Sequence, residues 1–294
     1  MLTLFVDEID HLTPHWSQRY PYNEFCPFAS NGHGGHARAG CTAVAGANVL
    51  YYLHNKIGLP ATMVSQAIYD EGDNEWLFHS PSSSVWSAMD TLSVYGLNYY
   101  NLPESIMIGH VGKMIGTHYG GNYSWAWFSN LKSNLFSPYG ISCSQGDYDE
   151  AIVASSLLNL MPVIITASNL LIPIDFDIHV FVADAYRRTQ IKYTHRHHWV
   201  GPIPSPDPEA GFIILDGEYD DYYTFTYSSP QVTSIKFNWG WPEQWNDYEQ
   251  FGADYSVLNN GWYSLTDGWV IDDGNHTYDY NHNRSMIYGF APAQ

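Results

Sequence analysis

Residues 40–55, GCTAVAGANVLYYLHN, decide the fold, because an apolar helical pattern begins there directly after a glycine-rich loop. The preceding residues, 26–40, are mostly small and polar, as is typical of a loop. From Cys41 onward, Ala43, Ala47 and Leu50 share one helical face, and the alanines allow close approach to other backbone. The pattern predicts a central, buried helix over 41–55 with a cysteine in its first turn.

The rest of the chain divides into a helical part and a strand-rich part. Further helices are predicted over 82–95 and 148–160, where apolar residues recur at helical spacing. After Pro162 the pattern changes to apolar or alternating runs, which predict strands over 163–167, 179–186, 211–216, 234–239 and 261–265. We therefore expect an α+β fold, with the helical half over about 1–160 packed against an antiparallel sheet over about 161–294. No repeat or long linker divides residues 1–294, which predicts a single domain.

Composition excludes several classes of function. The chain has 294 residues, of which 45% are hydrophobic, and its formal net charge is −19. An apolar fraction of that size argues against disorder, and the acidic balance argues against binding to nucleic acid or to an anionic lipid surface. The uncharged run 151–174 is long enough to cross a bilayer, but Pro162 and Pro173 interrupt it, so no membrane span is predicted. The aromatic content of 16% leaves glycan binding open.

The chemistry-bearing residues meet where the central helix faces the strands. Cys41 follows Gly40 at a helix N-terminus, a setting that stabilises a thiolate. His179 opens the apolar strand HVFVADAY and is the predicted acid–base partner of the thiol. Asn238 lies on the face of IKFNWGW opposite the packed aromatics and is predicted to orient His179. Gln18 is the candidate side-chain donor for an oxyanion.

These segments, in this order, resemble the streptopain family of bacterial cysteine peptidases. The resemblance rests on WSQRYPYN, AGCTAVAGANVLYYLHN, LMPVIITAS, DIHVFVADAY, IKFNWGW and GWYSL. It implies a papain-like fold and an endopeptidase with Cys41 as nucleophile, His179 as base and acid, Gln18 in the oxyanion hole and Asn238 orienting His179. It also implies that Trp239 covers the hydrogen bond between Asn238 and His179, and that Gly40 and Trp241 support the site. Hydrophobic residues are implied to be preferred upstream of the cleaved bond.

The resemblance also bears on partners and location. It implies a peptide or protein substrate, secretion or display at the cell surface, and synthesis with a pro-segment that, like a protein inhibitor, would bind in the cleft. We expect no pro-domain or signal peptide within the given residues, because the first ten residues are acidic and carry no basic region. Two departures from the family pattern, Ile178 before the histidine and Pro242 to Gln244 after the second tryptophan, put substrate preference in doubt.

Four questions stay open at the level of sequence. The connection 187–231 is a predicted insertion with a basic island, interpreted as a solvated loop or as a docking point for an acidic partner. No cofactor or metal is predicted; the alternative interpretation is a zinc site formed by residues among His195, His197, His198, His33, His36 and Cys26. The other functional hypotheses are acyl transfer or amidase chemistry on the same residues, and a silent peptidase relative that binds peptide or glycan. Three cysteines leave at least one thiol unpaired in a monomer.

Overall fold

A computed structural model describes residues 1–58, 69–70, 75–76, 86, 89, 102–169, 178–197, 222–241, 261–266, 268–272 and 277–293. Within these ranges the helices are α1 (Cys41–Asn55), α2 (Pro103–Met114) and α3 (Glu150–Leu158), with a 3₁₀ turn at His33–Gly35 and a π-helix at Leu131–Phe136. The strands are β1 (Leu2–Ile9), β2 (Tyr69–Asp70), β3 (Glu75–Trp76), β4 (Ile141–Asp147), β5 (Val163–Ser168), β6 (Ile178–His197), β7 (Tyr222–Tyr227), β8 (Gln231–Asn238), β9 (Tyr263–Ser264), β10 (Val270–Asp272), β11 (Thr277–Asp279) and β12 (His282–Pro292). The predicted α+β class is confirmed.

The chain divides into two compact units. The larger unit comprises Ile9–Tyr186 with Ser234–Gln294, and the smaller unit comprises Met1–Glu8 with Arg187–Thr233. The predicted insertion 187–231 therefore falls in the smaller unit. There β7 pairs antiparallel with the distal part of β6, from Lys192 opposite Tyr227 to His197 opposite Tyr222.

The sheet of the larger unit runs in the order β4, β12, β5, β6, β8, β9. Its centre is β5, which pairs antiparallel with β12 on one side and with β6 on the other, and every residue of β5 is buried. This explains the unbroken apolar run after Pro162, since a strand in the middle of a covered sheet has two buried faces. The β5–β6 register places His179 opposite Ala167 at the start of β6.

Helix α1 is the centre of the helical layer, and its residues from Thr42 to Leu53 are buried. Gly46 lets it approach the π-helix, because a Cβ at Gly46 would lie 2.6 Å from Leu131 Cδ2 and 2.9 Å from Leu135 Cδ2. The observed bounds of α1 equal the predicted range 41–55. Helix α3 begins where Asp149 accepts hydrogen bonds from the N–H groups of Ala151 and Ile152, which caps its N-terminus.

The predicted division into a helical first half and a strand-rich second half is wrong in detail. Strands β1 and β4 lie in the first half, and α2 was not predicted. Strand β4, ISCSQGD, has little intrinsic strand propensity and is ordered by pairing with β12. The predicted helix 82–95, apart from Trp86 and Met89, and the predicted strand 211–216 lie outside the described residues. Among the described residues, no helix is long and apolar enough to cross a membrane.

Candidate active site

Cys41 is the first residue of α1, and Gly40 makes that position possible. Gly40 has φ +87° and ψ 138°, a conformation that residues with a Cβ rarely adopt, and a Cβ there would lie 3.2 Å from the Ser124 carbonyl oxygen. The Gly40 carbonyl then accepts the first hydrogen bond of the helix from Val44 N–H at 3.1 Å. Gly-Cys thus lets the chain turn sharply and leaves the Cys41 side chain at the end of the helix, on the wall of a pocket.

The thiol of Cys41 lies in a site where two effects on its pKa oppose each other. Hydrogen bonds to the sulfur from the Val180 and Thr42 backbone N–H groups and from the Thr42 hydroxyl lower the pKa of Cys41. Burial is the larger effect and raises the pKa of the Cys41 thiol above its usual value. In this conformation the positive end of α1 does not compensate for lost hydration, so the predicted stabilisation of a thiolate at Cys41 stays a prediction.

His179 is the second residue of β6 and lies among aromatic rings. Its ring stacks with those of Trp239 (centroids 6.0 Å apart, 16° between planes) and Trp241 (5.2 Å, 27°). Burial lowers the pKa of His179 to about 4, so the imidazole is neutral at neutral pH. Its Nε2 lies 2.9 Å from the Trp239 carbonyl oxygen, and since a carbonyl only accepts, Nε2 carries the proton. Nδ1 is then the basic nitrogen.

Cys41 lies next to the strand of His179, because its sulfur accepts a hydrogen bond from the neighbouring residue Val180. The N–H of Val180, the residue after the histidine, donates to the Cys41 sulfur. No hydrogen bond links the Cys41 sulfur to the imidazole among the contacts of these two described residues. Catalytic hydrogen bonds are often long or unformed without substrate, so this arrangement is compatible with proton transfer once Cys41 turns away from Val180.

The structure does not form the predicted hydrogen bond between Asn238 and His179, so this prediction is corrected. Asn238 Nδ2 donates instead to the Pro14 carbonyl at 2.6 Å and to Thr13 Oγ1 at 3.2 Å, while its Oδ1 accepts from Gly240 N–H at 3.1 Å. The acceptor for His179 is the backbone carbonyl of Trp239. The hydrogen bonds of Asn238 thus connect the turn that contains this carbonyl to the segment of Thr13 and Pro14.

Gln18 is held beside the same elements by its backbone. Its N–H donates to the Gly240 carbonyl at 3.2 Å, and its carbonyl accepts from Ala39 N–H at 3.0 Å. These two bonds connect the segment of Gln18 to the turn after Trp239 and to the residues just before Cys41. The side chain of Gln18 is partly exposed, as a donor to a bound substrate must be.

An apolar pocket of about 520 Å³ adjoins Cys41. Its walls come from α1, the segment 123–128, β5 and the start of β6, and its apolar and aromatic lining includes Trp125, Trp127, Phe128, Ile178 and Val180. Sequence reasoning missed the segment 123–128, although YSWAWF is a conspicuous aromatic cluster. Trp127 is 67% exposed, so a large apolar surface is open to a ligand here.

The histidines weighed as zinc ligands do not cluster among the described residues. His195 and His197 lie in β6, within hydrogen-bond distance of the hydroxyls of Thr226 and Thr224 on β7. His36 Nδ1 lies 2.8 Å from the Cys26 carbonyl, and His198 lies outside the described residues. All three cysteines are free, so Cys26 and Cys143 do not pair in this structure.

A cysteine at the start of a buried helix, beside a strand whose second residue is histidine, is the arrangement expected of a cysteine peptidase. Residues 16–201 match the peptidase C10 family, and the chain belongs to that family, which confirms the resemblance to streptopain-type peptidases. The matched segment contains Gln18, Cys41 and His179. The chain is a cysteine-type peptidase. No curated protein matches it by sequence.

Two solved structures have the same fold. Active wild-type interpain A, a cysteine protease of Prevotella intermedia, is 20% identical with a TM-score of 0.52, over 95% of this chain and 94% of that one. A fragment of prointerpain A from the same organism is 18% identical with a TM-score of 0.51, over 97% of this chain and 75% of that one. These likenesses confirm the predicted papain-like architecture.

Proposed function

We propose that this peptidase cleaves within peptide chains by attack of Cys41 on the carbonyl carbon, with His179 as a neutral general base. The observation that carries the proposal is the bond from His179 Nε2 to the Trp239 carbonyl, which leaves Nδ1 as the proton acceptor. The thiol proton moves to Nδ1 as the S–C bond forms. The N–H groups of the first turn of α1 and the amide of Gln18 stabilise the oxyanion.

The remaining steps use the same two residues. The protonated His179 donates its proton to the leaving amine as the C–N bond breaks, which leaves a thioester on Cys41. Neutral His179 then removes a proton from water, the hydroxide attacks the thioester, and the acid product leaves as Cys41 regains its proton. The stacked rings of Trp239 and Trp241 limit access of bulk water to the imidazole during both transfers.

Replacement of Cys41 tests the assignment of the nucleophile. Cys41→Ala is expected to abolish hydrolysis of an unstructured protein such as casein while leaving the circular dichroism spectrum unchanged. Cys143→Ala is the matched control, because Cys143 is half-buried with a pKa raised by burial to about 11, and it is expected to retain activity. Turnover by Cys41→Ala above that of a mock preparation would exclude Cys41 as the nucleophile.

The apolar pocket supports a preference for hydrophobic residues upstream of the cleaved bond. Peptides that vary only at the second residue upstream are expected to be cleaved with higher kcat/KM when that residue is Leu or Phe than when it is Asp or Lys. Trp127→Ala is expected to reduce this preference, whereas Phe28→Ala, which removes another exposed aromatic ring, is expected to leave it unchanged. Equal rates for all four peptides would contradict the proposal.

A pro-segment and secretion are proposed from the family and from the likeness to a fragment of prointerpain A. A pro-segment would occupy the cleft at Cys41 and block alkylation of the thiol until it is removed. The test is immunodetection of the protein in culture medium and in cell lysate of its native host, with the mass of each form. A single form confined to the lysate would contradict both parts of the proposal.

A further inference from the structure

A second group of chemistry-bearing side chains lies in the larger unit, apart from the thiol. It consists of His11 and His15, from the segment after β1, and Asp184, from the buried part of β6. One ligand atom of each residue lies within 4.8 Å of the others. The two imidazole rings meet edge to face with centroids 3.9 Å apart. The Leu12 N–H donates to the Asp184 carbonyl at 2.9 Å and holds the two chain segments together.

Two buried polar atoms of this group, on Asp184 and His11, accept or donate no hydrogen bond among the described residues. Asp184 is fully buried, and its Oδ2 accepts from Thr13 Oγ1 at 2.7 Å. Its Oδ1 and His11 Nδ1 are both buried without a hydrogen bond to any described residue, and they face each other at 3.8 Å. That separation is too long for a hydrogen bond. A buried carboxylate oxygen without a donor is unfavourable, so a positive group between the two atoms would stabilise the site.

We propose that His11, His15 and Asp184 bind a divalent transition metal of the zinc type. Two imidazoles and one carboxylate suit Zn²⁺, whereas Mg²⁺ and Ca²⁺ prefer oxygen ligands. Bond lengths of about 2.0–2.2 Å in a tetrahedral site place neighbouring ligand atoms about 3.3–3.6 Å apart, so a contraction of at most about 1.5 Å closes this group on an ion. A bound water molecule would supply the fourth ligand of a tetrahedral site.

The surroundings supply the outer contact that metal-bound histidines usually have. When His11 binds metal through Nδ1, its Nε2 carries the proton, and Asp10 Oδ1 lies 3.6 Å from Nε2. A small closure makes this a hydrogen bond from imidazole to carboxylate, which fixes the orientation of the ring. Asp10 also pairs with Lys236, whose positive charge acts on His15, so this charge is partly neutralised.

The proposed metal would stabilise the segment that supports the active site. Thr13 and Pro14, between the two histidines, accept the hydrogen bonds of Asn238, which fixes the turn carrying the Trp239 carbonyl. An ion on His11, His15 and Asp184 would restrict this segment from both sides. The inference concerns metal affinity and does not depend on the roles proposed for Cys41 and His179.

The test measures zinc binding to the chelator-treated full chain carrying Cys41→Ala, so that the pocket thiol cannot bind the ion. We expect one Zn²⁺ per chain by calorimetry, a higher Tm with zinc, and with Co²⁺ the intense visible absorption of a tetrahedral site. Asp10→Asn should weaken binding by about 10–100-fold. His11→Gln and Asp184→Asn should abolish the one-to-one site, and Asp184→Asn keeps an acceptor for Thr13.

The control is the double substitution His195→Gln and His197→Gln, which removes two exposed imidazoles of the smaller unit and should leave zinc affinity unchanged. Absence of one-to-one binding in the Cys41→Ala chain would overturn the proposal, and His11 and Asp184 would then form an ion pair only. Binding that survives both His11→Gln and Asp184→Asn would overturn it as well.

Discussion

The pH dependence of Cys41 alkylation separates a neutral catalytic pair from an ion pair. The thiol of Cys41 has a pKa raised by burial from an ordinary value of 9.0, and His179 has a pKa lowered to about 4. A thiol with a pKa of 9 or more is at most about 1% thiolate at pH 7, and this fraction rises about tenfold per pH unit. We therefore expect the iodoacetamide rate at Cys41 to rise about 100-fold between pH 6 and pH 8.

Hydrolysis has a different expected profile, because it requires neutral His179 rather than free thiolate. With a pKa of about 4, His179 stays neutral as the pH falls from 7 to 5 and becomes protonated as the pH falls through 4. The acid limb of kcat/KM should accordingly have its midpoint near pH 4. Activity would change by only about 10% between pH 7 and pH 5, provided the fold is intact.

The assay is peptide mass spectrometry of iodoacetamide-treated native protein over pH 5–9, with peptide hydrolysis measured in the same buffers. Tryptophan fluorescence at each pH checks that the chain is folded, and Cys143, whose pKa is raised by burial to about 11, is the internal slow control. A rate at Cys41 that is constant between pH 5 and pH 8 would refute the reasoning, because it would show a thiolate already formed at low pH. An acid limb near pH 6.5 would refute the lowered pKa of His179.

Three other substitutions test the packing and the positioning of the site. Gly46→Ala should lower the free energy of unfolding in urea by about 1–3 kcal/mol, because its Cβ would overlap Leu131 and Leu135, and an unchanged midpoint would contradict this contact. His110 is buried with a pKa of about 4, so its contribution to stability is present above pH 6.5 and is lost as the pH falls. His110→Gln should therefore reduce the loss of stability between pH 7 and pH 5 by about 2 kcal/mol, measured by urea unfolding at both pH values. Asn238→Ala should lower kcat/KM by about 10–100-fold through displacement of the Trp239 carbonyl. Peptide assays that show wild-type kcat/KM for Asn238→Ala would exclude a positioning role.

The parts of the fold that could be predicted from sequence are those with a strong local pattern. The range of α1 and the core of β5 follow from apolar periodicity, and the observed bounds agree with it. Strand β4 and the distal part of β6 have no such pattern, because pairing with β12 and β7 orders them. The pocket wall at 123–128 is also set by tertiary contacts, which sequence periodicity does not contain.

The pKa of Cys41 and the group of His11, His15 and Asp184 could not be predicted from sequence, for separate physical reasons. The pKa of Cys41 depends on how completely neighbouring atoms exclude water from the sulfur, and position at a helix N-terminus does not determine that. Charge effects at helix termini usually amount to about 0.3–1 kcal/mol, whereas burial of a thiolate costs more. The group of His11, His15 and Asp184 was missed because Asp184 is distant in sequence, so no local spacing marks these residues as neighbours.

The acceptor for His179 could have been deduced from strand alternation. His179 and Phe181 share one face of β6, and they pack against Phe237, in β8, and Trp239, the residue after β8. Asn238 lies between those two aromatics in sequence, so its side chain must project from the opposite face of the strand. The imidazole instead bonds to a backbone atom just after β8, the Trp239 carbonyl oxygen. The alternation that turns the Asn238 side chain away from His179 also brings it to Thr13 and Pro14, to which it donates hydrogen bonds.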